Sequence, residues 1–97
     1  MSVAGLSPRK GLSFKSQSQG VDNTTPFNID YKGCFAIANI IYTFNRKSVT
    51  VLIDNDKMIK LSDDDIYGLS VDFSGTIMTI SASSGNFGIT VKSIIFD

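Results

Sequence analysis

Short runs in which apolar and polar residues alternate fill the chain from Phe27 to Asp97. In the clearest run, Leu69, Val71 and Phe73 are separated by single polar residues. This period of two places the apolar side chains on one face of a β-strand. Segments rich in Gly, Asn, Asp and Ser, which favour turns, separate the runs. The pattern therefore predicts strands joined by tight turns.

The choice of residues argues against helices. All nine acidic residues are aspartate, and Ile, Val and Thr account for 25 of the 97 positions. β-branched residues pack well on pleated sheets, whereas aspartate favours caps and turns. We predict one all-β body over residues 27–97, a small β-sandwich or barrel-like domain of about seven short antiparallel strands. Its predicted core consists of Phe35, Ile37, Val49, Val51, Ile53, Leu69, Val71, Phe73, Ile77, Ile80, Phe87, Ile89 and Val91.

Residues 1–26 differ from the body because they are polar, basic and rich in Gly and Ser. We predict that they form an extended N-terminal arm, in which Leu12 and Phe14 make one edge-strand contact. The stretch 16–20 (SQSQG) has no packing residues and is expected to be a tether. A segment of this composition does not order by itself, so either its own body or a neighbouring chain would have to hold it. The sequence leaves both arrangements open.

Charge is unevenly distributed along a chain of zero formal net charge. The arm has three basic residues against one acidic residue, a net +2, and the body has six against eight, a net −2. The arm is therefore expected to seek an acidic surface. Three cations are few for binding nucleic acid, which usually needs several phosphate contacts, and the acidic body also argues against it.

The sequence carries no signature of an enzyme. It has no histidine, which is the commonest general base and metal ligand, and one cysteine, Cys34, in an apolar strand. We expect a buried, inert thiol there and predict no catalytic residue, cofactor or small-molecule substrate. No apolar run approaches the roughly 18 residues of a membrane span. Because the N-terminus also lacks the apolar segment of a signal peptide, we expect a protein made in the cell, including one that leaves within a particle.

Two aspartate clusters, 54–56 and 63–65, bring oxygen ligands close together in sequence. Such ligands suit a hard divalent cation. The EF-hand pattern fails, however, because Met58 and Ile59 occupy positions that need a ligand and a glycine. We interpret the clusters as solvated turns. A weak divalent-ion site between neighbouring copies, at Asp54, Asp56 and Asp63–Asp65, is the alternative.

The C-terminal residues Ile94, Ile95 and Phe96 are consecutive and apolar. Side chains of a strand alternate between its faces, so they cannot all face one core. Either both faces of this strand are covered within the domain, or one face meets a partner. We therefore include all three among the candidate partner-binding residues.

The layout of a basic, extended arm on a compact β-domain resembles small virion components, such as phage decoration, head-completion and tail proteins. The resemblance is one of architecture and covers no motif. It implies a non-enzymatic assembly protein of a virion, assembled in the host cytoplasm, whose partners are other subunits, most simply copies of itself. We predict that Val3, Leu6, Leu12 and Phe14 anchor the arm and that Arg9, Lys10 and Lys15 steer it. The alternative function is a β-module that binds a glycan or peptide through Tyr31, Tyr42 and Tyr67.

Overall fold

The computed structural model describes residues 11–96, which form eight β-strands and no helix. The strands are β1 (Leu12–Val21), β2 (Phe27–Asp30), β3 (Phe35–Tyr42), β4 (Lys47–Asp54), β5 (Lys57–Asp63), β6 (Leu69–Ser74), β7 (Ile77–Ala82) and β8 (Phe87–Phe96). They build two antiparallel sheets that pack on each other. The all-β antiparallel class predicted from the sequence is confirmed.

The larger sheet has five strands in the order β1-β8-β3-β4-β5, and the smaller has three in the order β2-β7-β6. Strand β8 lies between β1 and β3 and pairs with β1 over ten residues and with β3 over eight. The first and last strands of the described chain are thus neighbours. Strands β1 and β5 are the two edges of the larger sheet.

The core lies between the sheets. In each strand that contributes to it, every second side chain faces inward, and these inward residues form the core. Val51 and Val91 of the larger sheet and Met78 and Ile80 of the smaller are all completely buried. Burying each such side chain stabilises the fold by roughly 1.5–3 kcal/mol. The full set of buried apolar residues is Val21, Phe27, Ile29, Tyr31, Ala36, Ala38, Ile40, Val49, Val51, Ile53, Ile66, Val71, Met78, Ile80, Ala82, Phe87, Ile89, Val91 and Ile95.

The predicted orientation of β3 is wrong. Phe35 and Ile37 were expected in the core, but Ala36, Ala38 and Ile40 are the buried residues. Both phases of this strand are apolar, and a shift of one residue exchanges its two faces. The bulkier phase faces outward. Ile77 is a similar error, since it is 40% exposed at the start of β7.

The expectation that residues 16–20 form a tether is also wrong, because they belong to β1. This strand pairs in register with β8, from Leu12 opposite Phe96 to Val21 opposite Phe87. Main-chain pairing with the last strand, rather than side-chain packing within the segment, holds it in the sheet. It adds the eighth strand to the seven expected.

Candidate docking surface

The larger sheet turns one face away from the smaller sheet, and we call this its outer face. A row of apolar residues crosses all five strands there. Phe14 is the register partner of Ile94, Ile94 of Ile37, Ile37 of Leu52, and Leu52 of Ile59. Each pair joins neighbouring strands, so the row runs from one edge of the sheet to the other. We call it the apolar row.

A second, shorter set of apolar residues lies beside the apolar row. Leu12 is the register partner of Phe96, and Phe96 is the partner of Phe35. The rings of Phe35 and Phe96 meet edge to face with centroids 5.2 Å apart. Together the two sets form what we call the apolar patch: Leu12, Phe14, Phe35, Ile37, Leu52, Ile59, Ile94 and Phe96.

Much of the apolar patch is in contact with solvent. The exposed fraction is 73% for Phe14, 55% for Ile59, 52% for Leu12, 39% for Phe96 and 37% for Phe35. If a large apolar side chain offers roughly 200 Å², these five leave on the order of 500 Å² uncovered. The largest apolar patch of a typical monomeric domain measures roughly 300–600 Å² and often belongs to an interaction site.

A groove lies where the apolar patch borders the polar residues of the outer face. It has a volume of about 520 Å³, and Phe14, Ile37 and Ile94 form its apolar wall. Asn39 and Lys92 border it on the polar side. Its shape and lining suit an apolar side chain from another surface, with polar groups at the margin to fix the orientation.

Beyond the groove the outer face becomes polar. The Asn39 side-chain amide donates a hydrogen bond to the hydroxyl of Thr50 at 2.9 Å. The hydroxyls of Ser18 and Thr90 are hydrogen-bonded at 2.8 Å. Neighbouring strands therefore satisfy each other's outward polar groups at this end of the sheet. The outer face is therefore apolar at one end and mostly polar at the other, where the half-buried Ile41, the partner of Thr90 and Ser48, is the exception.

The predicted arm residues fall into three groups. Val3, Leu6, Arg9 and Lys10 lie outside the described residues. Leu12 and Phe14 belong to the apolar patch. Lys15 pairs with the buried Ser93 and so faces the other side of β1 at the sheet edge.

The three predicted tail residues divide between the two faces of β8. Ile95 is buried in the core, with 7% of its surface exposed. Ile94 and Phe96 face outward and belong to the apolar patch. Whether the strand is covered on both faces within the domain or meets a partner on one face therefore depends only on Ile94 and Phe96.

The other members of the patch are not among the site residues predicted from the sequence. Phe35 and Ile37 are predicted core residues, and no functional role is predicted for Leu52 or Ile59. A signal was present, because Leu52 lies between the core residues Val51 and Ile53. An apolar residue in the outward phase of a strand indicates that the outer face is not simply solvated.

The tyrosines of the alternative function are not equivalent. Tyr31 is buried at 2% exposure, and Tyr42 packs edge-on against Phe87 with ring centroids 5.0 Å apart. Tyr67 is 89% exposed and Phe44 is 84% exposed. The ring centroids of Phe44 and Tyr42 lie 6.1 Å apart. The loops after β3 and β5 therefore carry two exposed aromatic rings.

In the second aspartate cluster, 63–65, two carboxylates make contacts within the chain. Asp64 accepts a hydrogen bond from the backbone of Ser48 at 3.0 Å, and Asp63 forms an ion pair with Lys60 at 3.4 Å. Within residues 11–96, no group of three or more Asp, Cys, His or Glu side chains is arranged to hold a metal ion. Cys34 is partly buried and packs against the core.

Within the part of the chain that the structure describes, no helix has the length and apolar character needed to cross a membrane. Comparison of the chain with protein-family models, with curated proteins and with solved structures gave no match. The candidate site therefore stands on its own geometry.

Proposed function

We propose that this protein is a non-enzymatic structural subunit that joins a larger protein assembly through the apolar patch. The observation that carries the proposal is the apolar row, which spans all five strands and ends in the exposed side chains of Phe14 and Ile59. Covering it with a protein surface removes apolar area from water, which stabilises association. The exposed half of a folded, hydrogen-bonded sheet also needs little reorganisation on binding.

The assembly we propose is a virus or phage particle, with a role as a decoration, head-completion or tail protein. The resemblance to small virion components supports this narrower assignment through residues 1–10, the basic part of the predicted arm that precedes β1. Residues 1–10 lead directly into Leu12, a member of the patch, so a subunit that covers the patch also lies within reach of this segment. Val3 is nine residues from Leu12, a span of at most about 30 Å. Val3 and Leu6 would then add apolar contacts, and Arg9 and Lys10 would meet acidic groups of the neighbour.

The test is density-gradient sedimentation of an extract from cells that make the protein naturally, with the chain followed by an antibody. We expect the wild-type chain in fast-sedimenting particles. Phe14→Lys should move it to the slow fractions, because a charge replaces the most exposed apolar side chain of the patch. Phe44→Lys is the matched control, since Phe44 is an exposed phenylalanine outside the patch, with 84% of its surface exposed against 73% for Phe14. A wild-type chain found only in slow fractions would overturn the proposal.

A second candidate function is a β-module that binds a glycan or peptide. The observation that favours it is the exposure of Phe44, in the loop after β3, and of Tyr67, in the loop after β5. The two loops are neighbours, because the Lys47 side chain donates a hydrogen bond to the backbone oxygen of Asp65 at 3.0 Å. Exposed aromatic rings supply large contact area at small conformational cost. This function predicts that Tyr67→Ala weakens ligand binding measured on a glycan or peptide array, whereas Phe14→Lys leaves it unchanged. The assembly function predicts the reverse, because there Phe14→Lys is the damaging change.

A further inference from the structure

We propose that the partner of the apolar patch is a second copy of this chain, which packs outer face to outer face around a two-fold axis. The inference rests on the function proposed above and names the partner of that surface. In this arrangement the same patch contributes to both sides of the contact, as an isologous interface requires. Two five-stranded sheets then pack as in a sandwich, about 10 Å apart and rotated by about 30°.

The size of the patch supports this partner. The five most exposed residues leave on the order of 500 Å² uncovered on each copy, and two copies would bury about 1,000 Å² through these residues alone. Ile37, Leu52 and Ile94, which are half-buried, add to that area. The total therefore clears the roughly 1,000 Å² that separates biological interfaces from most packing contacts.

The shape of the patch supports it as well. The apolar row crosses five strands and is about 19 Å long at the usual strand spacing. An identical row, turned by the two-fold axis, has the length needed to cover it. The groove beside Phe14 and Ile94 gives each copy a place to receive the exposed ring of Phe14 from the other.

The charges around the patch are compatible with self-association. Asp54 and Lys57 are register partners next to the patch on β4 and β5, and Lys92 borders the groove. All three are exposed, and both signs are present. A margin of mixed sign allows opposite charges of two copies to meet, whereas a strongly charged partner would need a margin of one sign.

Sedimentation equilibrium of the full-length chain, from about 1 to about 200 μM, tests the inference. We expect a monomer–dimer equilibrium. Phe14→Lys and Ile59→Lys should each raise its Kd by at least about tenfold, and Phe44→Lys should leave the Kd unchanged. All three side chains are more than half exposed, so the variants should keep the circular dichroism spectrum and melting temperature of the wild type.

Ile59→Lys also distinguishes the face-to-face dimer from a dimer made by pairing two β1 edges. Ile59 lies on β5, at the opposite edge of the sheet from β1. A face-to-face dimer is weakened by this change, whereas an edge-to-edge dimer is not. A dimer that is weakened by Phe14→Lys but not by Ile59→Lys would therefore overturn the inference.

A measurement on the unaltered chain gives a second test. In methyl NMR spectra, dilution should shift the signals of Ile37, Ile59 and Ile94 on the outer face. The signals of Ile40 and Ile53, which are completely buried between the sheets, should shift much less. Equal shifts in both groups, or none, would contradict a contact through the outer face.

Failure of this inference and failure of the proposed function have different outcomes. A chain that is monomeric at every concentration, yet enters particles in a Phe14-dependent way, excludes the second copy and keeps the assembly function. A chain that dimerises through the patch but is found in no larger particle keeps the inference and excludes the particle.

Discussion

The hydroxyl groups of Tyr31 and Ser93 lie 2.8 Å apart and form a hydrogen bond within the core. Tyr31 directly follows β2 of the smaller sheet, where its backbone N–H donates to Thr76, and Ser93 belongs to β8 of the larger sheet. The bond therefore joins the two layers. Burial raises the pKa of Tyr31, and the hydrogen bond with Ser93 offsets part of that rise.

This pair is expected to make a measurable contribution to stability. Tyr31→Phe and Ser93→Ala should each lower the free energy of unfolding by about 1–2 kcal/mol, because each leaves one buried hydroxyl without its partner. The double variant should lose less than the sum of the two. Urea denaturation measures all three values. Tyr67→Phe, at an exposed ring, is the control and should change stability by less than about 0.5 kcal/mol. Additive losses would show that the two hydroxyls are not coupled.

Asp30 is expected to make the fold sensitive to acid. Its carboxylate accepts hydrogen bonds from the Thr76 hydroxyl and the Lys32 backbone N–H, both at 2.8 Å. The Thr76 bond, and then the Lys32 bond, lower the pKa of Asp30 below its ordinary value of 3.8. A lowered pKa in the folded state stabilises the fold above pH 3.8, and this stabilisation is lost as pH falls through the folded-state pKa.

Asp30→Asn should therefore flatten the fall in stability below about pH 4. The measurement is the free energy of unfolding from pH 2 to pH 6, obtained by urea denaturation. Thr76→Val should flatten the same region, since it removes the hydrogen bond that contributes most to the lowered pKa of Asp30. Asp72→Asn, an exposed position in β6, is the matched control. An equal effect of Asp72→Asn would mean that the acid sensitivity does not come from the Asp30 contacts.

Gly68 is a position where only glycine fits without strain. Its φ is +86°, and an added Cβ would lie 3.2 Å from the Ser84 backbone oxygen and 3.5 Å from the Phe87 ring. Gly68→Ala should lower the free energy of unfolding by about 1–3 kcal/mol. Gly20→Ala is the control, because Gly20 has no atom within 4 Å of the added Cβ. Equal melting temperatures for the two variants would contradict the conclusion that position 68 requires glycine.

The strands that could be oriented from the sequence are those in which one of the two alternating sets of residues is clearly the more apolar. In β4, Val49, Val51 and Ile53 are all buried as expected. Strand β3 could not be oriented in this way, because Phe35 and Ile37 compete with two alanines and Ile40. The side-chain volumes favour the wrong face, and the packing of the second sheet decides the outcome.

The edge-strand contact predicted for Leu12 and Phe14 agrees with their place in β1. The rest of β1 and the apolar row could not be predicted from the sequence, for a different reason. Residues 16–20 are polar and enter the sheet through main-chain pairing with β8, more than 60 residues away in the chain. The apolar row exists only once five strands are in register, so no local window contains it. Leu52 and Ile59 gave the nearest signal, as apolar residues in outward positions of neighbouring strands.

Two truncations should measure how much strand β1 contributes to the stability of the fold. Strand β1 makes ten register pairs with β8, and its last residue, Val21, is 1% exposed. Deleting residues 2–21 should therefore lower the free energy of unfolding by at least about 3 kcal/mol, since it removes a core side chain and exposes one edge of β8. That is a large part of the stability expected for a domain of this size.

Deleting residues 2–10 is the control. It should change the free energy of unfolding by less than about 0.5 kcal/mol, because the ten register pairs between β1 and β8 remain. Thermal and urea unfolding measure both. Equal stability of the two truncated proteins would mean that β1 does not stabilise the sheet.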